Sequence, residues 1–436
     1  MIKSYENDVK LIIEESVRNS VSWDRLTYLC DFYGPRLSGS ENLEKAIAWI
    51  KKNMLADGFD LVAEDKVMVP HWVRGNEYCL MTEPREASLK MLGLGGSIGT
   101  PENGITAPVL VVESFEELEK RSEDARGKIV VYDVPFENYH QCVQYRFSGA
   151  INAAQHGAVA SLARSVSPVG MNNPHTGMMV YTDTVPKIPH AAILPEDAAM
   201  LRRFQERGIT PVIKLYMEAK TLPDAESSNL FCELKGEKYP DEIIAIGGHI
   251  DSWDVGTGAH DDASGCIAAW EALRLIKKLG LKPGRTLRAV MWVNEENGLR
   301  GGREYARLHA DEKHALLFEF DAGVFPVEAV RFTGSDTLQQ IVKEFEPLLR
   351  LISEDIKIED NAWGVDIGPL VRQNNVPAMC LSTRDDGKYF WYHHSPADTP
   401  DKIDPADFNN CIAAMAVSIY LYSHIPSVFL NYQKGS

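Results

Sequence analysis

The sequence predicts an α/β fold: a sandwich of helices on a mostly parallel central sheet, with a second unit inserted into it. Two observations predict this. From about residue 242 onward, short apolar segments alternate with amphipathic ones, the pattern of β–α–β units. Residues from about 95 to 220 have a different, loop-rich texture with a Gly/Ala-rich helical stretch, and carry none of the polar motifs of the later segments.

The elements follow in chain order. NDVKLIIEESVRNS and ENLEKAIAWIKKNMLADG carry apolar residues at helical spacing, and Gly58 suits the end of the second helix. DLVAEDKVMVPHWV reads as one strand or two. GKIVVYD (127–133) is a short buried strand after a turn. SGAINAAQHGAVASLARS (148–165) is a helix packed close to a sheet, then a strand. EIIAIGGHID (242–251), RTLRAVMWVNEE (285–296), ALLFEFDAG (315–323) and VPAMCLST (376–383) are apolar strands. ASGCIAAWEALRLIKKLG (263–280) is an amphipathic helix about 27 Å long that stops at Gly280. GREYARLHA and FNNCIAAMAVSIYLYSHI are further helices. The chain thus divides into a discontinuous unit, 1–90 and 220–436, and an inserted unit, 91–219.

Bulk properties narrow the function. The chain has 436 residues, 44% of them hydrophobic, enough for a sizeable core and more than one domain. A net charge of −17 argues against nucleic-acid and anionic-membrane partners. The seven cysteines are widely spaced with no CxxC, so buried thiols in a reducing compartment fit better than disulfides. The first residues form no apolar leader, and no run of about 18 apolar residues occurs. The chain as given reads as cytoplasmic, or as a secreted protein already trimmed. GLGGSIG (93–99) lacks the strand–turn–helix setting of a dinucleotide site.

The chemistry lies in small polar motifs at the C-terminal ends of strands, the edge where open α/β sheets bind ligands. His249 and Asp251 share GGHID, Glu295 and Glu296 share NEEN, and Asp321 sits in FDAG. Asp261 and Asp262 lie in GAHDDASG just before a helix, and His393 and His394 in YHHSP. A helix N-cap accounts for only one of the two aspartates; the other could bridge two cations, and Asp261 is the favoured bridge. Adjacent acids at a strand end point in different directions, so one of Glu295 and Glu296 can bind metal while the other faces water. His249, Asp261, Glu296, Asp321 and His394, with no cysteine among them, suit a pair of zinc ions. No HExxH occurs, so a helix-based zinc protease is excluded.

The order HxD, Asp, GluGlu, Asp, His resembles the co-catalytic zinc aminopeptidase and carboxypeptidase family M28. GGHIDSWDVGTGAHDDASG, WEALRLIKKLGLKPGRTLR, WVNEENG, FDAG and YFWYHHSPADT look most like its carboxypeptidase branch. The resemblance implies a three-layer, zinc-exopeptidase-like sandwich with a protease-associated-type domain inserted. It implies two Zn²⁺ per subunit, one held by His249, Asp261 and Asp321 and one by Asp261, Glu296 and His394. Co²⁺ or Mn²⁺ are candidate substitutes. In the same reading Asp251 orients His249, His394 rather than His393 is the ligand, and Glu295 is general base toward a metal-bridged hydroxide that attacks a dipeptide or short peptide. His393, Tyr389, Tyr392 and Asp366 are candidates for the substrate pocket. Competing functions are an aminopeptidase, a hydrolase of another amide, and an inactive binding protein. Relatives of that family commonly dimerise, and the aromatic-rich last helix is either a homodimer surface or core.

Overall fold

Two eight-stranded sheets organise the chain in the computed structural model, which describes residues 2–430. The first sheet runs, edge to edge, Leu61–Val73, Lys220–Leu234, Arg285–Trp292, Tyr239–His249, Lys313–Glu319, Ala378–Thr383, Val327–Thr333 and Lys357–Asp360. Its four middle strands are parallel, and antiparallel pairings flank them on both sides. The parallel part is therefore the core of the sheet, with mixed edges.

Alternation along the strands explains why this sheet is buried on both faces. Ile244 and Ile246 join one core with the helices Ser264–Lys278 and Pro405–Ser423. Ile243 and Ala245 join another with Tyr305, Ala306 and Leu370, from the helices Arg300–Leu308 and Gly368–Asn374. Pro405–Ser423 is buried continuously from Cys411 to its end, so it packs as a core helix.

The second sheet draws on residues 77–217. It begins earlier than the expected boundary at 91, because Glu77–Glu83 pairs with Val212–Met217 and buries Cys79 and Met81 in the second unit's core. The helix expected from residue 148 starts at Tyr139, capped by Asn138, whose side chain accepts the Gln141 N–H. DLVAEDKVMVPHWV forms one long strand, with a register shift between Val69 and His71. The seven cysteines are all buried and unpaired. Among the described residues no helix is long and apolar enough to cross a membrane.

Register aligns the ends that matter. His249 lies opposite Trp292, and Gly247 opposite Glu319. The residues just beyond each strand, Asp251, Glu295, Glu296 and Asp321, therefore emerge on one edge.

Candidate metal centre

Asp261 lies at the middle of the site. Its Oδ1 is 3.1 Å from His249 Nε2, and its Oδ2 is 3.3 Å from His394 Nε2. Glu296 Oε2 is 3.0 Å from His394 Nε2, and Asp321 Oδ2 is 3.9 Å from His249 Nε2. Glu295 Oε2 stands 4.0 Å from the same His249 nitrogen.

The backbone around Asp261 is held from two sides. Asp398, buried, accepts the N–H groups of Ala259, His260 and Asp261 at 3.1, 2.8 and 3.2 Å. Asp262 accepts the Gly265 N–H in the first turn of the following helix and the His249 N–H. It thus does the capping work and leaves Asp261 to the site. A Cβ at Gly248 would overlap the Asp262 carboxylate, which accounts for the glycine before His249.

Asp251 acts differently from a simple partner of His249. His249 Nδ1 donates to the Asp251 backbone carbonyl at 2.9 Å, which turns Nε2 toward the acids. The Asp251 carboxylate is 3.8 Å from that ring. It accepts instead the N–H groups of Glu295 and Glu296, at 3.1 and 3.3 Å, and the Ser38 hydroxyl at 3.3 Å.

These residues suit cations. Among the described residues, the ion pairs of Asp251, Asp261, Glu295, Glu296 and Asp321 are all with histidine. Asp321 Oδ1 is buried without any hydrogen-bond partner. Burial and the charge of Asp261 push Glu296 up to about 7, and burial with Asp261 and Glu319 does the same to Asp321. Burial also drives Glu295 well above the usual carboxylate range, with Glu296 and Asp321 adding to it against His249. Burial would lower His394, but Glu296 and Asp261 overcome it and raise it to about 10. So dense a set of acids takes up protons when nothing else neutralises it. His249, Asp261 and Asp321 form one compact donor group, and Asp261, His393 and His394 another, each with donor atoms within 4.8 Å of one another.

The site opens into a cavity of about 460 Å³. Asp261, Glu295, Glu296, Asp321, His393 and His394 line it from the first unit, and Tyr139, Arg146 and Met178 from the second. The second unit also grips the histidine loop. Thr176 N–H donates to the His394 carbonyl at 2.8 Å, His175 Nδ1 to the His393 carbonyl at 2.6 Å, and Asn173 Nδ2 to Ser395 Oγ at 2.8 Å. His394 has φ +57°, the left-handed region that costs a non-glycine residue about 1–2 kcal/mol. The hydrogen bonds from the second unit help hold it there.

The family model described as "Peptidase family M28" matches residues 229–419, the stretch that carries every one of these acids and His249, His393 and His394. Carboxypeptidase Q of Mus musculus is 47% identical over 96% of this chain and 90% of its own length. The chain belongs to peptidase family M28. This M28 chain is a metallopeptidase, a hydrolase. Carboxypeptidase Q of Homo sapiens is 48% identical, covering 92% of this chain and 84% of its own. Among solved structures, a peptidase M28 precursor from Shewanella amazonensis SB2B superposes with a TM-score of 0.92 at 32% identity, over 97% of both chains. BSAP, a zinc aminopeptidase from Bacillus subtilis, shares the fold, with a TM-score of 0.68 at 18% identity over 95% of this chain and 98% of its own.

Not every expected pocket residue of this M28 peptidase reaches the cavity. Tyr389 and His393 line it. Tyr392 stacks on His260 at 5.6 Å instead, and Asp366 is buried next to the lining residue Val365, without lining the cavity itself, with both carboxyl oxygens lacking a hydrogen-bond partner. Tyr139, Arg146, Asp398 and Trp363 were not anticipated. Tyr139 and Arg146 come from a stretch with no polar motif, so nothing local marks them. Asp398 had a signal, an acid in SPADT four residues beyond His394.

Proposed function

We propose that this chain is a di-zinc exopeptidase, carboxypeptidase Q-like, that hydrolyses dipeptides or short peptides. The observation that carries the reading is Asp261, whose two oxygens reach His249 on one side and His394 on the other, as a carboxylate bridging two ions must. His249 and Asp321 would complete one site with Asp261, and Glu296 and His394 the other. Zinc bound there supplies Lewis acidity, polarising the peptide carbonyl and acidifying water.

The remaining work falls to the chain. Glu295 lines the cavity with its carboxylate 4.0 Å from His249 Nε2, and in this reading it is the acid left for proton transfer. It takes the proton of the attacking water and gives it to the leaving amine. Asp251, through the two N–H groups it accepts, fixes the backbone that aims Glu295 inward and Glu296 toward His394. In the same reading the two-faced sheet is the centre of a three-layer sandwich. The segment from about Glu77 to Met217 is a protease-associated-type insertion, and residues 1–76 with 218–436 form the peptidase domain.

The test is Glu295→Gln with metal analysis. We expect two zinc ions per chain as in wild type and less than about 1% of wild-type dipeptide hydrolysis. Full zinc content with activity above that level would remove Glu295 from the role of base. One ion per chain in the wild type would remove the bridging assignment of Asp261.

A further inference from the structure

The turn that carries Glu295 and Glu296 is braced by two buried side chains that do not line the cavity, Ser38 and Asn294. Ser38 belongs to RLSGS, far ahead of the stretch 229–419 that the family model matches. Its neighbour Arg36, fully buried, ties this segment to the site. The Arg36 guanidinium donates to the carbonyls of Ile250, Thr257 and Gly258 at 2.9, 2.7 and 3.2 Å, and its backbone N–H donates to Ser252 Oγ at 3.0 Å. The segment is thereby fixed against the end of the His249 strand and the approach to Asp261.

Asn294 opens the NEEN motif. It has φ +67°, a left-handed conformation that asparagine tolerates better than most residues. Its Oδ1 accepts the Arg300 N–H at 3.3 Å, which assigns the other side of the amide as Nδ2. Nδ2 donates to Asn297 Oδ1 and, at 3.0 Å, to Ser38 Oγ. A Cβ at Gly298 would overlap Asn294 Oδ1, so glycine there leaves the amide its place.

Chemistry fixes the direction of these bonds. An amide NH₂ only donates, so Ser38 Oγ accepts from Asn294 and keeps its one hydrogen to give. That hydrogen goes to Asp251 Oδ2 at 3.3 Å. Asp251 in turn accepts the N–H groups of Glu295 and Glu296 at 3.1 and 3.3 Å. The bonds close a ring that leaves the chain at Asn294 and re-enters it at the next two residues. Without the Ser38 hydroxyl, Asp251 loses a donor and Asn294 an acceptor, and the ring opens.

We infer that Ser38 and Asn294 are positioning residues for the general base: with Asp251 they form a directed hydrogen-bond ring that sets the Glu295 carboxylate toward the attacking water. This rests on the exopeptidase reading above. It goes further in making a segment near the start of the chain part of the apparatus that aims the base. Because neither side chain lines the cavity, their loss should appear in turnover and leave substrate binding alone.

The experiment uses zinc-loaded full-length protein, Ala-Phe as substrate, and the variants Ser38→Ala, Asn294→Gly and the two combined. Glycine takes a positive φ without strain, so Asn294→Gly removes the amide and spares the backbone conformation. Each single variant should lower kcat about 10–100-fold, with KM within about threefold of wild type and zinc content unchanged. The combined variant should be slower than the slower single variant by no more than about threefold, because either loss opens the same ring. Asn294→Asp should be at least as slow as Asn294→Gly, since a carboxylate draws the Ser38 hydrogen away from Asp251. Ser40→Ala removes the cap of the helix Glu41–Ala56 and destabilises the same segment without touching the ring, so its kcat should stay within about threefold of wild type. Hydrogen exchange of the Glu295 and Glu296 amides, read by mass spectrometry, needs no turnover and should quicken about tenfold or more in Ser38→Ala. Losses that multiply in the combined variant would overturn the inference, as would kcat within about threefold of wild type in both single variants. A Ser40→Ala loss as large as that of Ser38→Ala would also overturn it, because the segment would then act through stability alone. If wild type does not cleave Ala-Phe, exchange decides: faster exchange at the two amides means that the exopeptidase reading fails and the ring stands, and unchanged exchange means that the ring fails too.

Discussion

Asp251→Asn separates two ways in which a buried carboxylate can serve this site. In one, Asp251 acts through His249 by fixing the imidazole. In the other, it acts through the backbone of Glu295 and Glu296. The geometry favours the second, since the His249 ring already uses the Asp251 carbonyl at 2.9 Å while the carboxylate holds the two glutamate N–H groups. An amide keeps one acceptor oxygen and turns an NH₂ on the other position. Either orientation leaves one buried N–H facing a donor. An unsatisfied buried group costs about 1–3 kcal/mol, and losing the charge on the surviving bond adds about 1 kcal/mol, for a total of about 2–4 kcal/mol. The catalytic effect should be larger in proportion, because a displacement of about 1 Å at a reacting group costs about 100-fold in rate. Urea unfolding should show the stability loss. Turnover at saturating zinc should fall about 100-fold, with zinc affinity changed less than tenfold. A variant whose activity returns to within about threefold of wild type when zinc is raised would refute this, because Asp251 would then act through His249 and metal affinity.

Two other perturbations test the surroundings. Asp398→Asn removes one acceptor from the three N–H groups that hold Ala259 to Asp261, so it should weaken binding of both ions together, measured by competition with a chelator dye; loss of one ion alone would contradict it. Remote from the metal centre, His309 donates to Asp65 and Glu312; burial alone would lower its pKa, but these hydrogen bonds push it up to about 9 from 6.5. Because the folded value is the higher one, this stabilisation is fully present below pH 6.5 and is lost as pH rises through about 9. Unfolding free energy should decline across that window, and His309→Gln should flatten the decline; an unchanged slope would refute the linkage.

Much of the centre was legible in sequence for a physical reason. The last residues of a strand buried on both faces run apolar here, so a His or acid at or just past its end stands out, as His249 and Glu296 do. The aspartate pair was legible only in part, because capping explains one acid and the chain alone cannot say which. The structure gives that task to Asp262 through Gly265 N–H. Arg146 was not legible at all. Its place on the cavity wall depends on a neighbour, His394, more than two hundred residues later. Lys357–Asp360, a four-residue edge strand with one buried residue, offers too little pattern to be found. The sheet that Glu77–Glu83 joins was not legible, because it alternates like the strand before it and only pairing with Val212–Met217 reveals its allegiance.

The grip of the second unit on the histidine loop has a temporal consequence. A ribosome delivers residues 77–217 before any of the candidate ligands, and domains tend to fold as they emerge. Thr176 and His175 are thus waiting when His394, the last of those ligands, arrives. Until then the nascent chain holds acids and one imidazole but no complete pair of metal sites. In the proposed reading, a hydrolase assembled in this order would be inert while it is being made, its final ligand received by a part that folds first.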